Sequence, residues 1–116
     1  MNCRRWEIWL ANLDPVVGSE QGKTRPVVII SDDGINNILS IVNVLPLTSR
    51  KAGRIIYPNE VLINANNFGL QTDSIVLCHQ IRTLDKKRFL KLYGRIDAPL
   101  LQEQIVVALK FQLAIS

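Results

Sequence analysis

Apolar and polar side chains alternate over residues 6–12, with Trp6, Ile8 and Leu10 on one face and Glu7, Trp9 and Ala11 on the other. Period two predicts a strand here, with one tryptophan in the core and one near a rim. A β-branched run over residues 26–31 predicts the second strand, starting at a proline that has no N–H to give a ladder. Residues 32–37 are turn chemistry without periodicity. Residues 40–47 predict a third strand, stopped or bulged at Pro46. Residues 55–63 give one or two short strands, and residues 64–72 form a loop rich in Asn and Gly. Ile75, Val76, Leu77 and Cys78 are the heart of a strong strand within residues 73–81. Residues 85–90 predict one helical turn capped by Asp85, and residues 91–96 an edge strand. Asp97 is a good N-cap and Pro99 suits a first turn. Leu100, Leu101, Ile105, Ala108, Leu109 and Leu113 then recur at helical spacing, giving one long helix wide enough in its apolar stripe to pack on a sheet. Several short strands and a terminal helix predict a small antiparallel barrel.

A chain of 116 residues suits one domain, residues 1–116. Its 47% apolar and 21% charged residues are those of a globular protein. No apolar run reaches membrane-spanning length. Arg4 and Arg5 before the first strand loosely resemble a signal peptide, but Glu7 and Asp14-Pro15 interrupt any apolar core, so a cytoplasmic location is expected. Cys3 and Cys78 have no paired ligand spacing and are expected as free thiols, Cys78 in the core. One histidine and no ligand cluster argue against a zinc site. The net charge is +4 and the pI about 9.4. The excess is local: Arg82, Lys86, Lys87, Arg88, Lys91 and Arg95 form one cluster, and Arg50, Lys51 and Arg54 another. Such a field attracts polyanions such as RNA, although a solvated basic face that binds nothing has the same composition.

The stretch over residues 13–30 is the most informative. Gly18-Ser19-Glu20-Gln21-Gly22 places three polar side chains between two glycines, and Arg25 follows just before Pro26. A residue preceding proline is pushed to extended geometry, so Arg25 is expected at a strand mouth with its guanidinium facing the loop. Its fixed donors suit a phosphate or a carboxylate; the plain alternative is a surface pair with Glu20. Thr48 taken alone reads as a strand-end hydroxyl capping its own backbone.

These residues together resemble the MazF/PemK-type toxins of bacterial toxin–antitoxin pairs. The resemblance rests on Glu7-Ile8-Trp9, Leu13-Asp14-Pro15, the loop over residues 18–22, Arg25-Pro26-Val27, Pro46-Leu47-Thr48 and the segment from Asp73-Ser74-Ile75 to Gln80-Ile81-Arg82-Thr83-Leu84-Asp85. It implies an SH3-like small antiparallel barrel of the CcdB/MazF type that forms a homodimer. It also implies cleavage of single-stranded RNA without a metal or other cofactor, silenced by an antitoxin over the substrate groove. Arg25 and Thr48 map onto the family's catalytic pair. Ser19, Glu20, Gln21, His79 and Gln80 are the expected RNA contacts. His79 stands where related toxins often carry an acidic residue; a histidine there can act as base or acid, or simply contact RNA at the rim. Two alternatives share the fold. One is a non-enzymatic toxin acting on DNA gyrase, which relies on a C-terminal tryptophan that this chain lacks. The other is an RNA-binding barrel without catalysis.

Overall fold

The computed structural model describes residues 2–116. Seven strands and two α-helices follow in the order β1 (Glu7–Asn12), β2 (Thr24–Ile29), α1 (Asp33–Asn36), β3 (Ile41–Ser49), β4 (Glu60–Ile63), β5 (Ser74–Leu77), β6 (Arg82–Asp85), β7 (Phe89–Arg95) and α2 (Pro99–Leu113). Single 3-10 turns occupy Cys78–Gln80 and Lys86–Arg88. All pairings are antiparallel, in the spatial order β4-β5-β3-β2-β1-β7, with β6 also on β3. The result is the expected barrel-like antiparallel architecture, with its sheet left unclosed.

Strand β3 organises the fold. Its Val44–Pro46 part pairs with β2, through Ile29↔Val44, Val28↔Leu45 and Val27↔Pro46. Its opposite edge takes β6 opposite residues 41–44, then β5 opposite residues 47–49. Pro46 therefore neither stops nor bulges the strand, contrary to the sequence expectation. It is the last residue in register with β2, a place where a ladder can do without an N–H. Beyond it β3 leaves β2 and continues in the second sheet.

Strand β2 is buried on both faces, which explains its unbroken β-branched run. Val28 enters one core with Ile8, Leu45, Leu47, Val61, Val76 and Cys78, while Val27 and Ile29 enter another with Ala11, Leu13, Val42, Val44 and Leu84. Strand β2 begins at Thr24, two residues earlier than expected, so Arg25 and Pro26 lie within it and pair with Ala11 and Leu10. Trp6 is in the core, and Trp9 is half-buried, stacked on Phe89 at 5.5 Å. The alternation of β1 does not survive intact. Register irregularities against β7 at Ile8/Trp9 and Leu10/Ala11 leave Leu10 half-buried and bury Ala11 fully.

Three further expectations change. Residues 33–36 form a helical turn rather than an irregular one, because the Asp32 carboxylate accepts from the Gly34 N–H at 2.8 Å and caps it. Helix α2 is preceded by Ala98, which offers no side-chain cap, and Asp97 does not serve as one. Pro99 opens the helix as expected. Ile105 and Ala108 are buried, whereas Leu100, Val107, Phe111 and Leu113 are exposed, so its packed stripe is narrower than the sequence suggests. The Asp85 carboxylate caps the turn that follows it by accepting from the Lys87 N–H at 2.8 Å, as expected. Both cysteines are buried and free, and burial pushes the Cys78 thiol up to about 11. Among the described residues, no helix is long and apolar enough to cross a membrane.

Candidate active site

Where β3 parts from β2, the structure opens. The first residues of β2 and the last of β3 have no strand between them, and a cavity of about 510 Å³ fills the gap. Thr24, Arg25 and Pro26 form one wall, and Leu47, Thr48 and Ser49 another. The two residues singled out from sequence, 23 positions apart in the chain, thus share one concavity. Both are half-buried.

The Arg25 side chain is anchored at one end. Its Nε donates to the Gly22 carbonyl at 3.0 Å. Among the described residues, its two terminal NH2 groups take no protein acceptor, which leaves a planar fork for a ligand. The alternative pairing with Glu20 does not form. The Glu20 carboxylate accepts from the Val17 N–H at 2.7 Å within its own loop. The Thr48 hydroxyl likewise takes no partner from the described residues, so the self-capping alternative is not adopted.

The remaining walls were not legible in the sequence. Gly69, Leu70, Gln71 and Thr72 come from the loop before β5, and Lys91, Leu92 and Tyr93 from β7. Lys91 places its ammonium 5.9 Å from the centre of the Tyr93 ring. Their i, i+2 spacing on an edge strand is a signal for a shared face, but only the topology shows which face. The cavity holds two cations, Arg25 and Lys91, and no carboxylate lines it. Its chemistry is that of an anion site with an aromatic surface beside it. A second concavity of about 550 Å³ between β4 and α2 is different in kind, walled by Val61, Leu62, Leu100 and Val107 with Glu60 and Glu103 as its charges.

The other expected contacts, Ser19, Glu20, Gln21, His79 and Gln80, do not line the cavity. Gln80 reaches the glycine-flanked loop, donating from Nε2 to the Ser19 carbonyl at 3.3 Å and accepting the Gln21 N–H at 3.3 Å. The Gln21 side-chain oxygen is buried without a partner. His79 is exposed on the 3-10 turn and lines no part of the cavity. Arg82 and Arg88, counted in the basic cluster, are tied to backbone carbonyls: Arg82 to Leu13 at 2.8 Å, and Arg88 to Asp14 at 2.6 Å. Among the described residues, no three His, Cys, Asp or Glu side chains come together.

The class of protein is a barrel-like antiparallel β domain with a C-terminal helix, carrying a cationic cavity where one strand passes between two sheets. The chain belongs to the PemK-like, MazF-like toxins of type II toxin–antitoxin systems, whose family profile matches residues 4–112. It is 35% identical over 115 residues to Endoribonuclease EndoA of Bacillus subtilis, covering 99% of this chain and 97% of that protein. It is 39% identical over 115 residues to Endoribonuclease MazF9 of Mycobacterium tuberculosis, covering 95% of each. The crystal structure of MazF from Deinococcus radiodurans superposes with a TM-score of 0.82 at 25% identity, over 99% of both chains.

Proposed function

We propose that this toxin is a cytoplasmic endoribonuclease that cleaves single-stranded RNA without a metal, acts as a homodimer and is silenced by a cognate antitoxin. The observation that carries the reading is the cavity shared by Arg25 and Thr48, cationic and free of carboxylates. Similarity to two proteins named endoribonucleases favours this over the gyrase-directed and non-catalytic alternatives.

Cleavage without a metal can use the ribose 2′-OH as nucleophile on the adjacent phosphate: the O2′–P bond forms as the P–O5′ bond breaks, leaving a 2′,3′-cyclic phosphate and a 5′-OH, with the 2′-OH proton lost to solvent and a solvent proton taken up by O5′. The phosphorane that forms carries extra negative charge on its non-bridging oxygens, and donors already aimed at that position lower the barrier. The free NH2 groups of Arg25 take that role, held by Gly22 so that little reorganisation is needed. Thr48 donates its O–H to a phosphoryl oxygen from the opposite wall. Ser19, Glu20 and Gln21 on the loop, together with His79, contact the RNA flanking the scissile bond. Unpaired bases suit such a site, because only a single strand presents its phosphate and base faces to a small concavity.

The test is incubation of purified protein with a single-stranded RNA in excess chelator. Wild type is expected to cut. Arg25→Ala is expected to lose at least about 100-fold in rate, and Thr48→Val at least about 10-fold, with both variants folded. Wild-type cleavage by Arg25→Ala would refute the assignment.

A further inference from the structure

The sequence pointed to Gln80 as an RNA contact, yet both ends of its amide are already committed to the loop over residues 18–22. Two residues further on, the Arg82 Nη1 donates to the Leu13 carbonyl at 2.8 Å, with a longer 3.5 Å approach to the Gln21 carbonyl. The loop is closed at its base by the Leu13 N–H donating to the Lys23 carbonyl at 2.8 Å, and the Lys23 N–H donates to the Asp14 carboxylate at 2.8 Å. Gly22 lies inside this enclosure, and its carbonyl is the acceptor that holds Arg25 Nε. Gly22 is also crowded: a Cβ there would come within 2.7 Å of both the Asp14 carboxylate and the Val16 side chain.

We infer that Gln80 and Arg82 are positioning residues for Arg25, acting through the backbone of the Gly18–Gly22 loop. This rests on the proposal that Arg25 stabilises the reacting phosphate. The connection is continuous. Gln80 and Arg82 fix the carbonyls and N–H of residues 13, 19 and 21, those fix Gly22, and Gly22 orients the guanidinium. Both residues come from one short piece of chain, the 3-10 turn and the start of β6, and β6 pairs with β3, the strand that carries Thr48. Without the tether the loop backbone has no other side-chain bond to the rest of the barrel at residues 19 and 21. Arg25 then loses its fixed acceptor, and a reacting geometry displaced by about 1 Å can cost on the order of 100-fold in rate.

Gln80→Ala and Arg82→Met are measured in two ways. Single-turnover cleavage at saturating RNA is expected to fall about 10- to 100-fold, with less than about a threefold change in affinity for an RNA carrying a 2′-deoxy sugar at the cut site. Solvent exchange of the Arg25 Nε–H, followed by nitrogen-15 NMR, is expected to quicken at least about tenfold as its hydrogen bond loosens. Arg82→Lys, which keeps a donor for the Leu13 carbonyl, is expected to recover part of both losses and guards against a variant that fails to fold. Folded variants that cleave at the wild-type rate, or that leave Arg25 Nε–H exchange unchanged, overturn the inference. A rate loss matched by an equal loss of affinity also overturns it, since Gln80 would then be a direct RNA contact. If Arg25→Ala itself cleaves normally, the failure belongs to the catalytic assignment and not to the tether.

Discussion

Gly69 and Gly94 face each other where the loop before β5 crosses β7. A Cβ on Gly69 would overlap the Tyr93 carbonyl, and one on Gly94 would overlap the Phe68 carbonyl. Gly69 also has a φ of +84°, which favours glycine. This double contact seats the far wall of the cavity, with Gly69 and Tyr93 both lining it. Gly94→Ala is expected to destabilise the fold by about 2 kcal/mol or more, because backbone and not a flexible side chain must move. Chemical denaturation checks this, and a loss below about 0.5 kcal/mol would show that the two segments can part freely.

Lys91 is the second cation in the cavity and has no acidic partner there. It is expected to neutralise one phosphate of the bound strand. Lys91→Met should weaken RNA binding several-fold and lower the slope of log affinity against log salt by about 0.7, the value for one single-strand phosphate contact. Binding titrations at four or five salt concentrations measure that slope. An unchanged slope would place Lys91 outside the RNA path.

His79, the one histidine of the chain, sits exposed, away from the cavity walls. His79→Ala is expected to raise KM a few-fold and to leave both kcat and its pH profile unchanged. Loss of one limb of the profile would return this residue to the proton-transfer chemistry.

Glu60 is buried beside Arg54, which donates to its two oxygens at 2.9 and 2.7 Å, and the Tyr57 N–H adds a third bond at 3.0 Å. The Arg54 hydrogen bonds hold its carboxyl below the ordinary glutamate range, against the opposing effect of burial. A depressed folded-state pKa means that the stabilisation is complete above the unfolded value, about 4.3, and is lost as pH falls through the folded one. Glu60→Gln is expected to cost about 1–3 kcal/mol at pH 7 and to flatten the acid limb of the stability curve. Denaturation midpoints between about pH 3 and 7 check both, and an equal acid slope in the two proteins would assign that limb to other carboxylates.

Much of the barrel was legible because local chemistry and tertiary context agree. Residues 27–30 within the predicted strand are all β-branched, and Val27, Val28 and Ile29 are fully buried, facing two cores. Pro26 held Arg25 in extended geometry as its type requires, although the strand starts earlier because β1 pairs back as far as Thr24. Pro46 misled, since a missing N–H matters only where a ladder needs it, and here the ladder to β2 ends. Lys91, Tyr93 and Gln71 reach the cavity only through the crossing of β7 and the preceding loop, a meeting that no local pattern encodes. Gln80 reads from sequence as an RNA contact, and its hydrogen bonds to the Ser19 carbonyl and the Gln21 N–H, which only the fold brings together, could not be read there.

The divergence of β3 from β2 has one more consequence. Arg25 rides on one sheet and Thr48 on the other, so the width of the gap between them is an angle as much as a distance. Val28 and Leu45 are paired one position inside the point where β3 leaves β2, and both are fully buried and absent from the cavity walls. Small changes of side-chain volume at these two positions are therefore expected to alter the splay of the sheets, and with it the gap, without altering any residue that lines it.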